Sequence, residues 1–147
     1  MKIAIANDPA GVEYKKLLCA HLEKQGHEMI NFGTDENASC DYPDYAQKVC
    51  KCLQNKQADF GILICGTGVG MSIAANKQKG IRASLCQSVF VAEMTRKHNN
   101  SNVLCLGARV ISEELMYDIA DAYFKTPFDE VETPDKHTRR INKIEKI

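Results

Sequence analysis

Residues 60–65, Phe60-Gly61-Ile62-Leu63-Ile64-Cys65, run directly into Gly66-Thr67-Gly68-Val69-Gly70-Met71-Ser72. The first six are apolar or small without a break, which reads as a short strand covered on both faces. The glycines then turn the chain, and the apolar residues that follow continue as a helix to about Lys77. A buried strand, a tight turn and a helix are half of a βαβ unit. The rest of the chain keeps the same rhythm. Upstream, residues 2–6 (KIAIA) read as a strand. Tyr14, Leu17, Leu18 and Leu22 mark a helix that ends near Gly26, and residues 27–32 (HEMINF) form a second strand. Residues 34–43 are polar and expected as a loop, and Tyr45, Ala46, Val49, Cys50 and Leu53 mark the next helix. Downstream, residues 81–86 and 102–106 read as strands. Phe90, Val91, Met94 and His98 line one face of the helix between them. Leu115, Met116, Ile119, Ala120 and Tyr123 mark a helix stopped near Pro127. A tail from about 135 to 147, carrying Ile141, Ile144 and Ile147, is expected as a last helix. Strand and helix alternate five times through short connections. The expected fold is therefore α/β: a three-layer α/β/α sandwich around a five-stranded parallel sheet, Rossmann-like, in one domain over residues 1–147.

Composition narrows the function classes. Of 147 residues, 44% are apolar and 26% charged, and 19 Lys+Arg balance 19 Asp+Glu to a formal charge of zero. That balance argues against a bulk-electrostatic nucleic-acid binder. No apolar run approaches the roughly 18 residues of a membrane span. Asp8 and Pro9 cut short the opening apolar stretch, so no signal-peptide profile is expected. Seven cysteines, an odd number lying mostly in apolar periodic segments, read as reduced thiols of a cytoplasmic protein. Cys50 and Cys52 lack the two-residue gap of a redox or zinc pair; on a helix their side chains point roughly 200° apart.

In open parallel sheets ligands lie at the carboxyl ends of the strands, near a switch in strand order. The segments that follow strands there are Asn7-Asp8-Pro9, Cys65-Gly66-Thr67-Gly68 and Gly107-Ala108-Arg109. Three glycines in residues 66–70 let the backbone approach a ligand closely, and successive N–H groups leading into a helix make an anion cradle. Cys65 at its mouth, near the positive end of that helix, is placed to favour thiolate. The same residues also read as a tight turn beside a small buried cysteine. A dinucleotide site does not fit. The spacing is G-x-G-x-G, it follows the third strand, and no acidic residue ends the next one. A Walker lysine is also missing. His98, near a helix C-terminus, suits an acid–base role. Asn99 can donate to an oxyanion, and Arg109, Lys136 and Arg140 are candidate phosphate ligands. His21, His27, His98 and His137 are scattered without metal-ligand spacing, so no metal is expected.

Further segments carry a likeness to known proteins. They are Gly26-His27-Glu28 with Phe32-Gly33-Thr34, Asp41-Tyr42-Pro43-Asp44, the block 61–77 around Cys65, Gly80-Ile81-Arg82-Ala83, His98-Asn99, residues 102–109, and His137 with Arg140. On these residues the chain resembles the type B ribose-5-phosphate isomerases, of the family that includes galactose-6-phosphate isomerase subunits. The likeness runs over essentially the whole chain. It implies an aldose–ketose isomerase that interconverts ribose 5-phosphate and ribulose 5-phosphate through an enediolate, without metal, nucleotide or other cofactor. It implies Cys65 as the base. It gives the N–H groups from Gly66 to Gly70, those of Gly68 and Val69 included, with Asn99, to the enediolate. Thr67 would pass a proton between the two oxygens, and His98 would be the acid that opens the furanose ring. Asp8 and Tyr42 would bind sugar hydroxyls. Arg109, Lys136 and Arg140 would hold the phosphate, with His137 and Pro9 at further substrate-contacting positions. The family's fold is a five-stranded parallel sheet between helices. Its enzymes are homodimers or tetramers whose sites are built from two subunits.

Two positions depart from the family pattern. Pro9 stands where histidine is usual, and brings neither an imidazole nor an N–H. Lys136 stands where arginine is usual, and keeps the charge without the bidentate fork. They leave open another sugar phosphate, such as allose 6-phosphate or galactose 6-phosphate, or a weakly active sugar-phosphate-binding partner subunit.

Overall fold

The structure is a computed structural model that describes residues 1–129 and 136–147. Its centre is the apolar stretch that opened the sequence: β3 (Phe60–Cys65) is the middle strand of a five-stranded sheet. β1 (Lys2–Asn7) and β5 (Val103–Gly107) flank it, and β2 (Glu28–Asn31) and β4 (Ala83–Leu85) form the edges. The order is β2-β1-β3-β5-β4, and every pairing is parallel. The chain leaves β1 toward one edge and returns to β3 on β1's other side. The switch in direction therefore falls between the ends of β1 and β3, where a ligand crevice opens in such sheets.

Helices cover both faces. α1 (Val12–Lys24), α4 (Val89–Asn99) and α5 (Glu113–Lys125) bury Leu18, Leu22, Ala92, Met116, Ile119 and Tyr123 against Ile3, Ile5, Ile62, Ile64, Leu104 and Leu106. α2 (Tyr42–Gln54) and α3 (Val69–Asn76) bury Ala46, Val49, Met71 and Ala75 against Ala4, Ala6, Leu63, Val103 and Cys105. The alternation along β1, Ile3 and Ile5 to one side and Ala4 and Ala6 to the other, is the two-residue period of a strand with both faces covered. Each fully buried leucine or isoleucine contributes about 1.5–3 kcal/mol. Local signals start and stop the helices. Ser88 and Ser112 accept N–H bonds from Val91 and Leu115 as N-caps, and Gly26, at φ +87°, ends α1. α6 (Lys136–Ile144) buries His137 and Ile141.

Some sequence expectations change. Residues 42 and 43 are not loop: Tyr42 opens α2, and Pro43 occupies its first turn, where a missing N–H costs nothing. The strand expected over 81–86 is reduced to Ala83–Leu85. At that edge the Asn76 side chain donates to the Ala83 carbonyl and accepts from its N–H, both at 2.9 Å. The second strand is shorter than residues 27–32. Position 135, the expected start of the tail, lies outside the described residues. No described helix is long and apolar enough to cross a membrane.

Candidate active site

The turn after β3 is held from several sides. Cys65 ends the strand with its side chain on the α2/α3 face, 5% exposed and beside Met71. Gly68 takes φ +77°, and its N–H donates to Cys65 Sγ at 3.1 Å. A Cβ at Gly68 would stand 2.5 Å from Leu85 Cδ1 and 2.9 Å from the Leu106 carbonyl carbon, so both conformation and space require glycine. Thr67 Oγ1 accepts from the Val69 N–H at 3.3 Å, at the start of α3. The segment after β5 continues the ladder: the N–H groups of Ala108 and Arg109 donate to the carbonyls of Cys65 and Gly66, both at 2.9 Å. That register lays Arg109 over Gly66, where a Cβ would meet its Nη1 at 3.4 Å. Tyr42 closes the other side. Its ring lies against Gly70, where a Cβ would be 2.7 Å from Cζ.

The loop after β1 arrives beside these. The Asp8 N–H donates to the Ile64 carbonyl at 3.0 Å, and Asp8 Oδ1 caps Ala10 at 2.9 Å over a short 3-10 turn that begins at Pro9. Asp8, Pro9, Tyr42, Cys65, Gly66, Thr67, Gly68, Val69, Gly70 and Arg109 therefore share one end of the sheet. The arrangement offers a thiol, a hydroxyl, a carboxylate, a cation and a run of N–H groups at a helix N-terminus. Those are the components for removing a proton from carbon and holding the charge left behind. Among the remaining thiols, burial pushes Cys50 up to about 11 and Cys86 up to about 12, and raises Cys105 well above its ordinary value.

A second group forms elsewhere. α4 carries the chain from the end of β4 back to the beginning of β5, so His98 and Asn99 at its last turn lie at the opposite end of the sheet from Cys65. Along the five residues of β5 that separation is roughly 13 Å. There the His98 ring stacks on His137 of α6 at 4.5 Å between centroids. Lys136 and Arg140 flank it. Desolvation, with the charges of His98, Lys136 and Arg140, holds His137 below the usual imidazole range. Asn99 lines a groove of about 800 Å³ with Arg82, Ile144 and Glu145. One chain thus brings the residues singled out from the sequence into two groups. His98, Asn99, Lys136, His137 and Arg140 do not join Cys65 within the chain.

Sequence reasoning missed the support beneath Asp8. Lys15, 1% exposed, donates to the Thr34 carbonyl at 2.8 Å and pairs with Asp35 at 2.6 Å. Asn7 Nδ2 donates to the carbonyls of Asp8 and Thr34. The available signal was a lysine in register with Leu18 and Leu22 on the apolar stripe of α1. Among the described residues no group of three His, Cys, Asp or Glu side chains is placed to hold a metal ion.

Residues 3–144 match the family described as Ribose/Galactose Isomerase. Ribose-5-phosphate isomerase B of Escherichia coli is 42% identical over 146 residues, covering 99% of this chain and 95% of that protein. A putative sugar phosphate isomerase of Bacillus subtilis is 44% identical over 145 residues, covering 98% and 95%. Among solved structures, Clostridium thermocellum ribose-5-phosphate isomerase B superposes with a TM-score of 0.95 at 44% identity, over 99% of this chain and 96% of that one. A ribose 5-phosphate isomerase of Thermotoga maritima gives 0.94 at 48% identity, over 99% and 98%.

Proposed function

The chain belongs to the ribose/galactose isomerase family, and from that premise we propose how its residues divide the work. It is an aldose–ketose isomerase that interconverts ribose 5-phosphate and ribulose 5-phosphate. In our reading Cys65 Sγ takes the C2 proton of the open-chain aldose. The C2–H electron pair becomes the C1=C2 bond, and the carbonyl oxygen takes up the negative charge. The N–H groups from Gly66 to Gly70 meet that charge. Thr67 passes a proton between the two oxygens, and Cys65 returns its proton to C1, leaving a carbonyl at C2. Oxidation at C2 balances reduction at C1 within the substrate, so no external oxidant or reductant enters. The observation that carries this reading is the Gly68 N–H aimed at Cys65 Sγ at the N-terminus of α3, the end of a helix that favours negative charge.

The second group completes the site from a partner subunit. His98 of the partner subunit would donate the proton that opens the furanose ring, and Asn99 of the partner subunit would add a donor to the enediolate. The phosphate would be held by Arg109 with Lys136 and Arg140, His137 lying beside them; Asp8 and Tyr42 would take sugar hydroxyls. Pro9 supplies no donor, so the phosphate grip rests on the three cations. Two observations support a homodimer, or a tetramer made of such dimers. The two groups lie at opposite ends of one sheet, and a two-fold axis brings each end of one chain to the other end of its mate. Val69 and Ile73 on α3, beside the Cys65 loop, and Phe90 and Val91 at the start of α4 turn apolar side chains outward, with Ile73 58% and Phe90 68% exposed. A cytoplasmic location suits the unpaired thiols.

The test mixes two dead variants. Cys65→Ala alone is expected to lose at least roughly 10²-fold in turnover of ribose 5-phosphate, and His98→Ala to be similarly slow. In an unfolded-and-refolded equal mixture, half of the dimers carry one chain of each kind, and each of those has one intact site. About a quarter of wild-type activity returns. Full activity in Cys65→Ala removes the thiol from the mechanism. No recovery on mixing places both groups in one chain's site or in none.

A further inference from the structure

The turn that carries His98 and Asn99 is gripped by two arginines that touch no substrate in the reading above. Arg96, one helical turn before it, is 7% exposed. Among the described residues no carboxylate pairs with it. Its guanidinium instead lies over the rings of Phe60, at 4.7 Å, and Tyr123, at 5.6 Å. Nη1 donates to Asn100 Oδ1 at 3.0 Å and to the Ser101 carbonyl. Burying a cation without a counter-charge is costly, and a fold keeps one where its N–H groups are used. Here they are spent on the two residues after Asn99. Asn100 is in the left-handed region at φ +46°, a conformation that needs support in a non-glycine residue. Ser101 is fully buried, and its hydroxyl bonds Tyr123 Oη at 2.9 Å.

Arg82 holds the outer side. Its Nε donates to the carbonyls of Asn99 and Asn100, at 3.2 and 3.0 Å. These acceptors, at the negative end of α4, otherwise face outward without helical partners. Arg82 Nη1 pairs with Glu145 at 2.6 Å, which ties the grip to the segment after α6. Asn102 closes the ring by accepting from the Arg82 N–H and donating to the Gly80 carbonyl, both at 2.8 Å.

We infer that Arg96 and Arg82 are positioning residues for the isomerisation: they fix the turn at 99–101 so that His98 and Asn99 enter the partner subunit's site in register. The inference rests on the shared-site reading. A plain packing role for Arg96 would be met by any side chain that fills its space. A positioning role needs the N–H fork, because a small displacement of a catalytic group is enough to slow the chemistry.

Arg96→Met fills the volume without the fork, and Arg82→Lys keeps the charge on the outer side. The measurements are kcat and KM for ribose 5-phosphate, affinity for a phosphorylated hydroxamate that mimics the enediolate, and recovery on mixing with Cys65→Ala. Arg96→Met is expected to lower kcat by at least about tenfold with KM within about twofold, and to weaken the hydroxamate by the same factor as kcat/KM. Mixed with Cys65→Ala it should recover activity to the level reached with His98→Ala, because the intact site then takes its His98 and Asn99 from the Cys65→Ala chain. If Arg96→Met does not fold, Arg82→Lys carries the same comparison. Unchanged kcat in the folded variants overturns the inference. So does a lowered kcat that mixing fails to rescue while Cys65→Ala and His98→Ala still complement. Failure of that last pair would overturn the shared site itself, so the two failures are distinguishable.

Discussion

Gly107 ends β5 directly beside Cys65 in the sheet register, and a methyl group there presses on the loop without changing any residue of it. The Cβ of Gly107→Ala would stand 2.6 Å from the Thr67 carbonyl oxygen, 2.7 Å from its carbon and 3.0 Å from its Cα. All three are backbone atoms, so no rotamer change relieves them. Gly107 does not have a positive φ, so the substitution adds bulk and nothing else. Ordinary contact begins near 3.4 Å, so the Thr67 peptide must retreat by roughly 0.8 Å. A shift of about 1 Å in a catalytic group costs on the order of 10²-fold, about 2.7 kcal/mol of barrier. Overpacking adds about 1–3 kcal/mol of destabilisation, or about 2–4 °C in Tm for each kcal/mol. Gly61→Ala is the matched control at the other end of the same ladder, opposite Val103. Its Cβ meets Val49 Cγ1 at 2.6 Å and Val103 Cγ2 at 3.2 Å, which are side chains of the core far from Thr67. Both variants should melt lower. In steady-state assays on ribose 5-phosphate, Gly107→Ala should lose about two orders of magnitude in kcat while Gly61→Ala stays within about twofold. A folded Gly107→Ala enzyme with near wild-type kcat would refute the claim that the loop backbone sets the rate. Equal losses in the two variants would refute it too.

Two further outcomes follow from the ionisable groups. At pH 8 the Cys50 and Cys86 thiols, pushed up by burial to about 11 and about 12, stay protonated and slow to react. An alkylating agent that abolishes activity should therefore label Cys65 by peptide mass mapping, and ribose 5-phosphate should protect it; inactivation with Cys65 unlabelled would contradict the assignment. Stability should fall in two stages as pH drops, read as the urea midpoint. Burial and the nearby N-terminal ammonium hold His27 below the usual imidazole range, and His137 is held down as well. Protonation of these histidines favours the unfolded chain, and stability is lost below about pH 6.5. Burial pushes the Asp121 carboxyl up, but hydrogen bonds from Gln25 and His21 bring it below its ordinary value; the Lys15 hydrogen bond does the same for Asp35. Their stabilisation is complete above about pH 4 and lost as pH falls through the lowered values. His27→Gln should flatten the first stage and Asp121→Asn the second. A profile unchanged by both would show that other groups set it.

The order of elements was legible because buried parallel strands are written as short apolar runs and helices as spaced ones. β3 was the clearest, since both of its faces are covered and a glycine-rich turn follows. The boundaries that moved did so for local reasons. Tyr42 and Pro43 look like loop residues, yet proline at a first helical turn helps begin α2. The strand expected over 81–86 shrank because a side chain, Asn76, takes the place of a neighbouring strand at Ala83. An apolar run does not record whether its outer edge has a partner.

The split of the site was also written in the chain, in the alternation itself. In a parallel sheet, residues that follow a strand and residues that precede one lie at opposite ends. Cys65-Gly66-Thr67 follows β3 and Arg109 follows β5, whereas His98-Asn99 precedes β5. Chemical type draws these residues into one imagined pocket, but topology separates them by the length of a strand; in the proposed dimer a second chain closes that distance. Lys15 and Arg96 were harder to read. Each is a cation in register with apolar neighbours, Leu18 and Leu22 for the one and Ala92 for the other, where a long side chain ordinarily carries its charge out to water. Here both reach inward to carbonyl groups of the turns beside candidate site residues, Thr34 behind Asp8 and Ser101 behind Asn99. On the proposed division of the site, a buried cation that bonds this backbone fixes the origin of the neighbouring side chain, which accounts for charge on a stripe that hydrophobic burial alone would fill with leucine.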